Sequence, residues 1–218
     1  MMRVALISVV CALVDGFAPS AVPRLTSVRR HAAESPADIA FGELDGTNAR
    51  IGIIKTRWNQ EIISGLRDGI VKTLGECGVQ ESNIFETEVP GSFELPMAAR
   101  FLALSQTVDA VICVGCLVKG DTMHFEYISQ ATASGIMNVQ LQTSVPCVFG
   151  VLTCNTEEQA KSRSSGANNH GPGWAKTAVE MAQVRMSAMT GRKPQTINLS
   201  GSEASNSTQM DPPRKVFF

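Results

Sequence analysis

The chain has 218 residues, enough for one ordinary domain with extensions, and its 44% hydrophobic content with only 6% aromatics suits a core of Val, Ile and Ala. With 19 basic and 20 acidic side chains the net charge is -1, which gives no electrostatic ground for nucleic acid or an anionic membrane as partner. The 6 cysteines are scattered, mostly in apolar stretches, and the 3 histidines have no metal-type spacing, so neither a disulfide framework nor a metal centre is expected.

A basic start, Met1-Met2-Arg3, precedes an apolar run from Val4 to Val14, which has the length of a signal-peptide core and is too short to span a bilayer. Phe17-Ala18-Pro19 follows, and then a Ser/Ala-rich stretch carrying Arg24, Arg29 and Arg30 without an acid until Glu34. Together these resemble the bipartite leader that sends proteins into the secondary plastids of some algae. The alternative is a disordered tail with a chance apolar run. Residues 1–35 are therefore expected to be a targeting leader and 36–49 an extended N-terminal arm.

The folded domain is expected over residues 50–189. Ile51 to Thr56 reads as the first strand, and Ile62, Ile63, Leu66, Ile70, Val71, Leu74 and Cys77 mark one face of a helix that Gly78 stops. A second strand is expected from Asn83 to Val89, broken by Pro90-Gly91, and a short helix from Phe93 to Leu104 with Pro96 in its first turn. The almost continuously apolar run Val108 to Val118 has the character of a strand buried on both faces of a parallel sheet. Its helix extends to about Gln142. Cys147 to Thr153 is the fourth strand, Thr156-x-x-Gln159 has capping-box spacing, and Ser164 to Gly173 reads as loop. A last helix shows Ala175, Ala178, Val179, Ala182, Met186 and Met189 on one stripe, and residues 190–218 form a polar tail expected to be disordered. Strand and helix alternate with no hairpin signal. The fold class is therefore α/β: a mainly parallel four-stranded sheet between two helical layers, a three-layer α/β/α sandwich.

Ligands of open α/β sheets bind at the carboxyl ends of the strands, and free amides at a helix start attract anions. Trp58-Asn59, Gly91-Ser92-Phe93-Glu94, the turn Lys119-Gly120-Asp121-Thr122 with His124, and Phe149 with its neighbours are assigned to the four strand ends, along one edge. His124 is the candidate for proton transfer and Trp58 offers a flat face to a heteroaromatic ring. Glu94 can accept hydrogens from a polar ligand. Asp121 and Thr122 can cap the helix or present amides to a phosphate, and Arg163 can clamp one. His170 reads as a loop residue. Cys113-x-x-Cys116 is set aside as a redox or metal pair, because strand residues three apart point to opposite faces.

These pieces resemble the lumazine synthase family from about Arg50 to Met186. The resemblance is carried by Trp58-Asn59, Val89-Pro90-Gly91-Ser92-Phe93-Glu94-Leu95-Pro96, Gly115 to Ile128, Phe149 to Thr153, and Asn169-His170-Gly171 before Ala178-Val179-Glu180-Met181. It implies a flavodoxin-like fold and the condensation of 5-amino-6-(D-ribitylamino)uracil with 3,4-dihydroxy-2-butanone 4-phosphate, without a cofactor. By position, Trp58 would stack on the pyrimidine, and Ser92, Phe93 and Glu94 would hold the ribityl side. Cys116, Leu117 and Val118 would read the ring with backbone groups, and Asp121, Thr122 and Arg163 would bind phosphate. His124 would move protons and Phe149 would come from a neighbouring subunit, so a homo-oligomer is implied: a pentamer, as Asn-His-Gly with Trp174 resembles the fungal type, or alternatively a sixty-subunit shell. Relatives usually carry an acid where this chain has Gly173. A non-catalytic flavodoxin-like module binding flavin or nucleotide is the competing reading, but Lys55-Thr56-Arg57-Trp58-Asn59 lacks the phosphate loop it would need.

Overall fold

A computed structural model describes residues 41–191; the leader, the first part of the arm and all but the start of the tail lie outside the described residues. Four strands, β1 (Ile51–Thr56), β2 (Ile84–Val89), β3 (Ala110–Val118) and β4 (Cys147–Cys154), form one sheet in the order β2-β1-β3-β4. All three pairings are parallel. The helices are α1 (Gln60–Glu76), α2 (Leu95–Leu104), α3 (His124–Thr143), α4 (Glu157–Ser162) and α5 (Gly171–Thr190). The result is the expected three-layer, flavodoxin-like arrangement.

Alternation along the strands sorts the core into two halves. Ile51 and Ile53 of β1, with Ala110, Ile112, Val114 and Cys116 of β3, pack under α1 and α5 against Leu66, Ile70, Ala175, Ala178 and Val179. Ile54, Val111 and Cys113 face the other way, under α2 and α3, against Leu95, Ala99, Ile136 and Val139. Cys113 and Cys116 thus lie on opposite faces of the sheet. Among the described residues no group of three or more His, Cys, Asp or Glu side chains could hold a metal ion, and no helix is long and apolar enough to cross a membrane.

Several boundaries differ from the sequence expectation. β3 begins at Ala110 rather than Val108, and just ahead of it the Asp109 N–H donates to the Arg50 carbonyl at 2.7 Å. Its buried carboxylate accepts the Arg50 backbone N–H at 3.1 Å, the Arg50 guanidinium at 3.0 Å through each oxygen, and Arg185 at 3.2 Å. Ser92–Glu94 is a separate 3-10 turn before α2, closed by the Gly91 N–H donating to the Glu94 carboxylate at 2.9 Å. The expected Ser164–Gly173 loop ends at His170: α5 already starts at Gly171, whose N–H donates to the Asn169 side-chain oxygen at 2.8 Å, with Pro172 in the first turn. The α5 stripe fades at its end, where Met189 is exposed. The helix runs to Thr190, one residue past the expected domain limit. The described part of the arm lies on the domain, with Leu44 against the α1/α5 core and Ala49 fully buried.

Candidate active site

The chain runs from β1 outward to β2 and then returns to β3 on the other side of β1, so its direction reverses between β1 and β3. In open α/β sheets ligands bind at such a reversal, outside the carboxyl ends of the two strands. On the β1 side, the Arg57 N–H donates to the Val89 carbonyl at 3.0 Å, which draws the ends of β1 and β2 together. Trp58 comes next and is 72% exposed, so it is not a core aromatic and its ring face is open to a ligand. It shares an open hollow of about 330 Å³ with Arg57, Asn59, Gln60 and Pro90.

Asn59 takes the left-handed backbone conformation, φ 58° and ψ 49°, just before α1. Its side chain does not cap that helix; the amide reaches across the reversal and donates to the Cys116 carbonyl at 3.4 Å. The backbone that presents Trp58 is thus tied to the strand end expected to read the ring. The motif Trp58-Asn59 does not by itself reveal this bridge, because the partner carbonyl is 57 residues away.

On the β2 side, a Cβ at Gly91 would stand 3.2 Å from the Glu94 carboxylate and 3.5 Å from the Trp58 ring. The structure therefore brings Trp58 and Glu94 together around one backbone segment. Phe93 is exposed. Ser92 is buried: its carbonyl accepts the Thr132 hydroxyl at 3.2 Å, and its hydroxyl oxygen lies 2.8 Å from where a Gly115 Cβ would be. Glycine at 115 is required by this close approach, which seats Ser92 on β3.

At the end of β3, burial pushes the Cys116 thiol up to about 12, with the nearby Cys154 and Glu157 adding to the effect. A neutral thiol is a poor nucleophile, which leaves Cys116 its backbone role. Leu117 and Val118 are half-buried, and the Lys119 N–H donates to the Cys154 carbonyl at 2.9 Å. Asp121 and Thr122 are exposed in the turn. Of the two expected caps only Thr122 acts, accepting the His124 N–H at 3.4 Å. His124 is exposed and is the first residue of α3.

Phe149 departs from the expected placement. It is the third residue of β4, not at the strand's carboxyl end, and pairs with Cys113 deep in the register. Five residues separate it from Cys154, roughly 17 Å of strand. The four groups therefore do not share one edge. Phe149 lines a second hollow of about 270 Å³ on the open side of β4, with Val151, Thr153, Arg163, His170 and Trp174. Arg163 donates to the Gln159 carbonyl at 2.9 Å.

His170, read from sequence as a loop residue, joins Arg163 in this hollow and packs edge-on against Trp174, with ring centroids 6.1 Å apart. Burial and the Arg163 charge hold its imidazole below the ordinary value, favouring the neutral ring. The loop is clamped by Asn169, whose amide donates to the Gly65 carbonyl at 2.8 Å and the Ser164 carbonyl at 3.1 Å. A side chain at Gly65 would collide with the Ser164 carbonyl, so glycine there lets α1 receive the loop.

A family model described as 6,7-dimethyl-8-ribityllumazine synthase matches residues 48–186. Three proteins bearing that name are similar to this chain. The Pyricularia oryzae protein is 41% identical over 187 residues, 68% of this chain and 94% of its own length. That of Cytophaga hutchinsonii is 43% identical over 142 residues, 64% of this chain and 89% of its own length. That of Schizosaccharomyces pombe is 46% identical over 142 residues, again 64% and 89%. With a strand order that reverses between β1 and β3 and a match over more than half its length, the chain belongs to the 6,7-dimethyl-8-ribityllumazine synthase family.

Proposed function

We propose that the chain condenses 5-amino-6-(D-ribitylamino)uracil with 3,4-dihydroxy-2-butanone 4-phosphate to give 6,7-dimethyl-8-ribityllumazine, phosphate and water, the penultimate step of riboflavin biosynthesis. The observation that carries this reading is the placement of an exposed Trp58, the Glu94 carboxylate, the backbone of Cys116–Val118 and the imidazole of His124 at the ends of the adjacent strands β1, β2 and β3. Trp58 stacks on the pyrimidine, Ser92, Phe93 and Glu94 hold the ribityl chain, and Asp121 and Thr122 with Arg163 take the phosphate. An amine and a ketone held in contact need little beyond orientation to react. His124 moves protons during imine formation, phosphate loss and ring closure.

Phe149 and Arg163 share one hollow, distinct from the one beside Trp58, so the subunit that supplies Phe149 to a neighbour's site also supplies Arg163. The active site is shared between copies in a homo-oligomer. Support comes from the exposed apolar row Met97, Phe101 and Leu104 on α2, which isolated chains would leave in water. A pentamer is proposed from the fungal character of Asn169-His170-Gly171 and Trp174, with delivery to a plastid by the leader. Nothing favours a non-catalytic flavin-binding module.

Mixing the protein with both substrates is expected to produce lumazine fluorescence, and no fluorescence would defeat the assignment. Sharing is tested by dissociating and reassembling two impaired variants, His124→Ala and Phe149→Arg, together. After equal mixing about a quarter of all interfaces pair an intact His124 with an intact Phe149, and activity should recover to that extent. A site contained in one chain would show no recovery.

A further inference from the structure

We propose that Lys119 and Glu126 form a positioning clamp that sets the Gly120–Met123 turn and His124 for the phosphate-bearing ketone. The proposal rests on the reaction assigned above. Lys119 is fixed at its backbone by the bond to Cys154, and its ammonium reaches over the turn to the Glu126 carboxylate at 2.8 Å. Glu126 belongs to the first turn of α3. The pair therefore connects the end of β3 with the start of the helix that carries His124.

Little else braces that turn. Met123, which precedes the helix, makes no side-chain cap; the Thr122 contact to His124 is long at 3.4 Å; and space around Gly120 is open. The second oxygen of the Glu126 carboxylate is buried without a hydrogen-bond partner among the described residues, so the contact to Lys119 through the other oxygen is what holds the carboxylate. The hydrogen bond from Lys119 also holds the Glu126 carboxyl below the usual range, keeping it charged as the clamp requires. A half-exposed ion pair adds little to stability. Displacing a phosphate-binding turn by a fraction of an ångström, in contrast, is felt directly in binding and alignment.

The test uses the assembled full chain and the variants Lys119→Met, Glu126→Gln, their combination, and Lys119→Arg. Either single neutral variant is expected to raise KM for the ketone phosphate, and the inhibition constant of inorganic phosphate, about 3- to 10-fold, leaving KM for the aminouracil within about twofold. The combined variant should be no worse than the singles, Lys119→Arg should stay within about twofold of the parent, and unfolding midpoints should move by less than about 3 °C. Effects that multiply in the combined variant, or an equal rise in both KM values, overturn the clamp. Should the parent protein make no lumazine, the reaction assignment falls; the same variant pattern in direct binding of inorganic phosphate then decides the clamp separately.

Discussion

His124→Ala should lower kcat by about 10- to 100-fold while leaving substrate affinity nearly intact. The imidazole is exposed at the start of α3, with only its backbone N–H engaged, by Thr122. Removing it therefore leaves the Trp58 face, the Glu94 carboxylate and the ring-reading strand end in place. The loss is smaller than for a covalent nucleophile, because orientation of an amine against a ketone survives the mutation. Steady-state kinetics with both substrates gives the check. An unchanged kcat would remove His124 from the mechanism; a rise in KM alone would make it a binding group.

Asp109→Ala should cost about 2–3 kcal/mol at neutral pH, the upper range for a broken buried ion pair being discounted because Arg50 is partly in water. Asp109 is 7% exposed at its side chain and Arg50 42%, with Arg185 at 20%. Burial by itself would raise the Asp109 carboxyl, but the hydrogen bonds and charge of Arg50, with Arg185 behind, bring it below the ordinary carboxylate value. The folded value thus lies under the unfolded one of about 3.9. Its stabilisation is fully present above that unfolded value and drains away as pH falls through the folded one. Denaturant titrations at fixed protein concentration, at pH 7 and near pH 2, should show a large gap between parent and variant that narrows in acid. A gap below about 1 kcal/mol at pH 7, or one that ignores pH, would show that the triad is not a keystone.

The elements that were legible in the sequence are those whose burial is uniform. β3 is apolar because both its faces are covered, and α1 has one buried face over its whole length. The start of α5 was hidden because Gly171-Pro172-Gly173 has poor helix propensity. What overrides it is the Asn169 side chain at the first turn, a tertiary arrangement. The position of Phe149 along β4 was legible, since the expected strand Cys147 to Thr153 already makes it the third residue; its exposure was not, because that depends on β4 being an edge strand, and strand order cannot be read from periodicity. At the end of β3, the strand-turn-helix signal located His124 correctly at a helix start. The left-handed Asn59 could not be foreseen, since its amide answers to a carbonyl on another strand. Gly173 is exposed with open space about it, one residue from Trp174, which places it on the Phe149 side of the molecule.

In the proposed oligomer, the clamp at Asn169 bears on how copies meet. One bond from Asn169 ties the loop to α1 through the Gly65 carbonyl, and two more, with the Ser164 carbonyl and the Gly171 N–H, close the loop on itself, so the surface proposed to be donated is held within a single chain. Association then loses little loop entropy, so more of the contact energy appears as affinity. Loosening the clamp, as Asn169→Ala would, should show first as easier dissociation on dilution, with the isolated fold still intact.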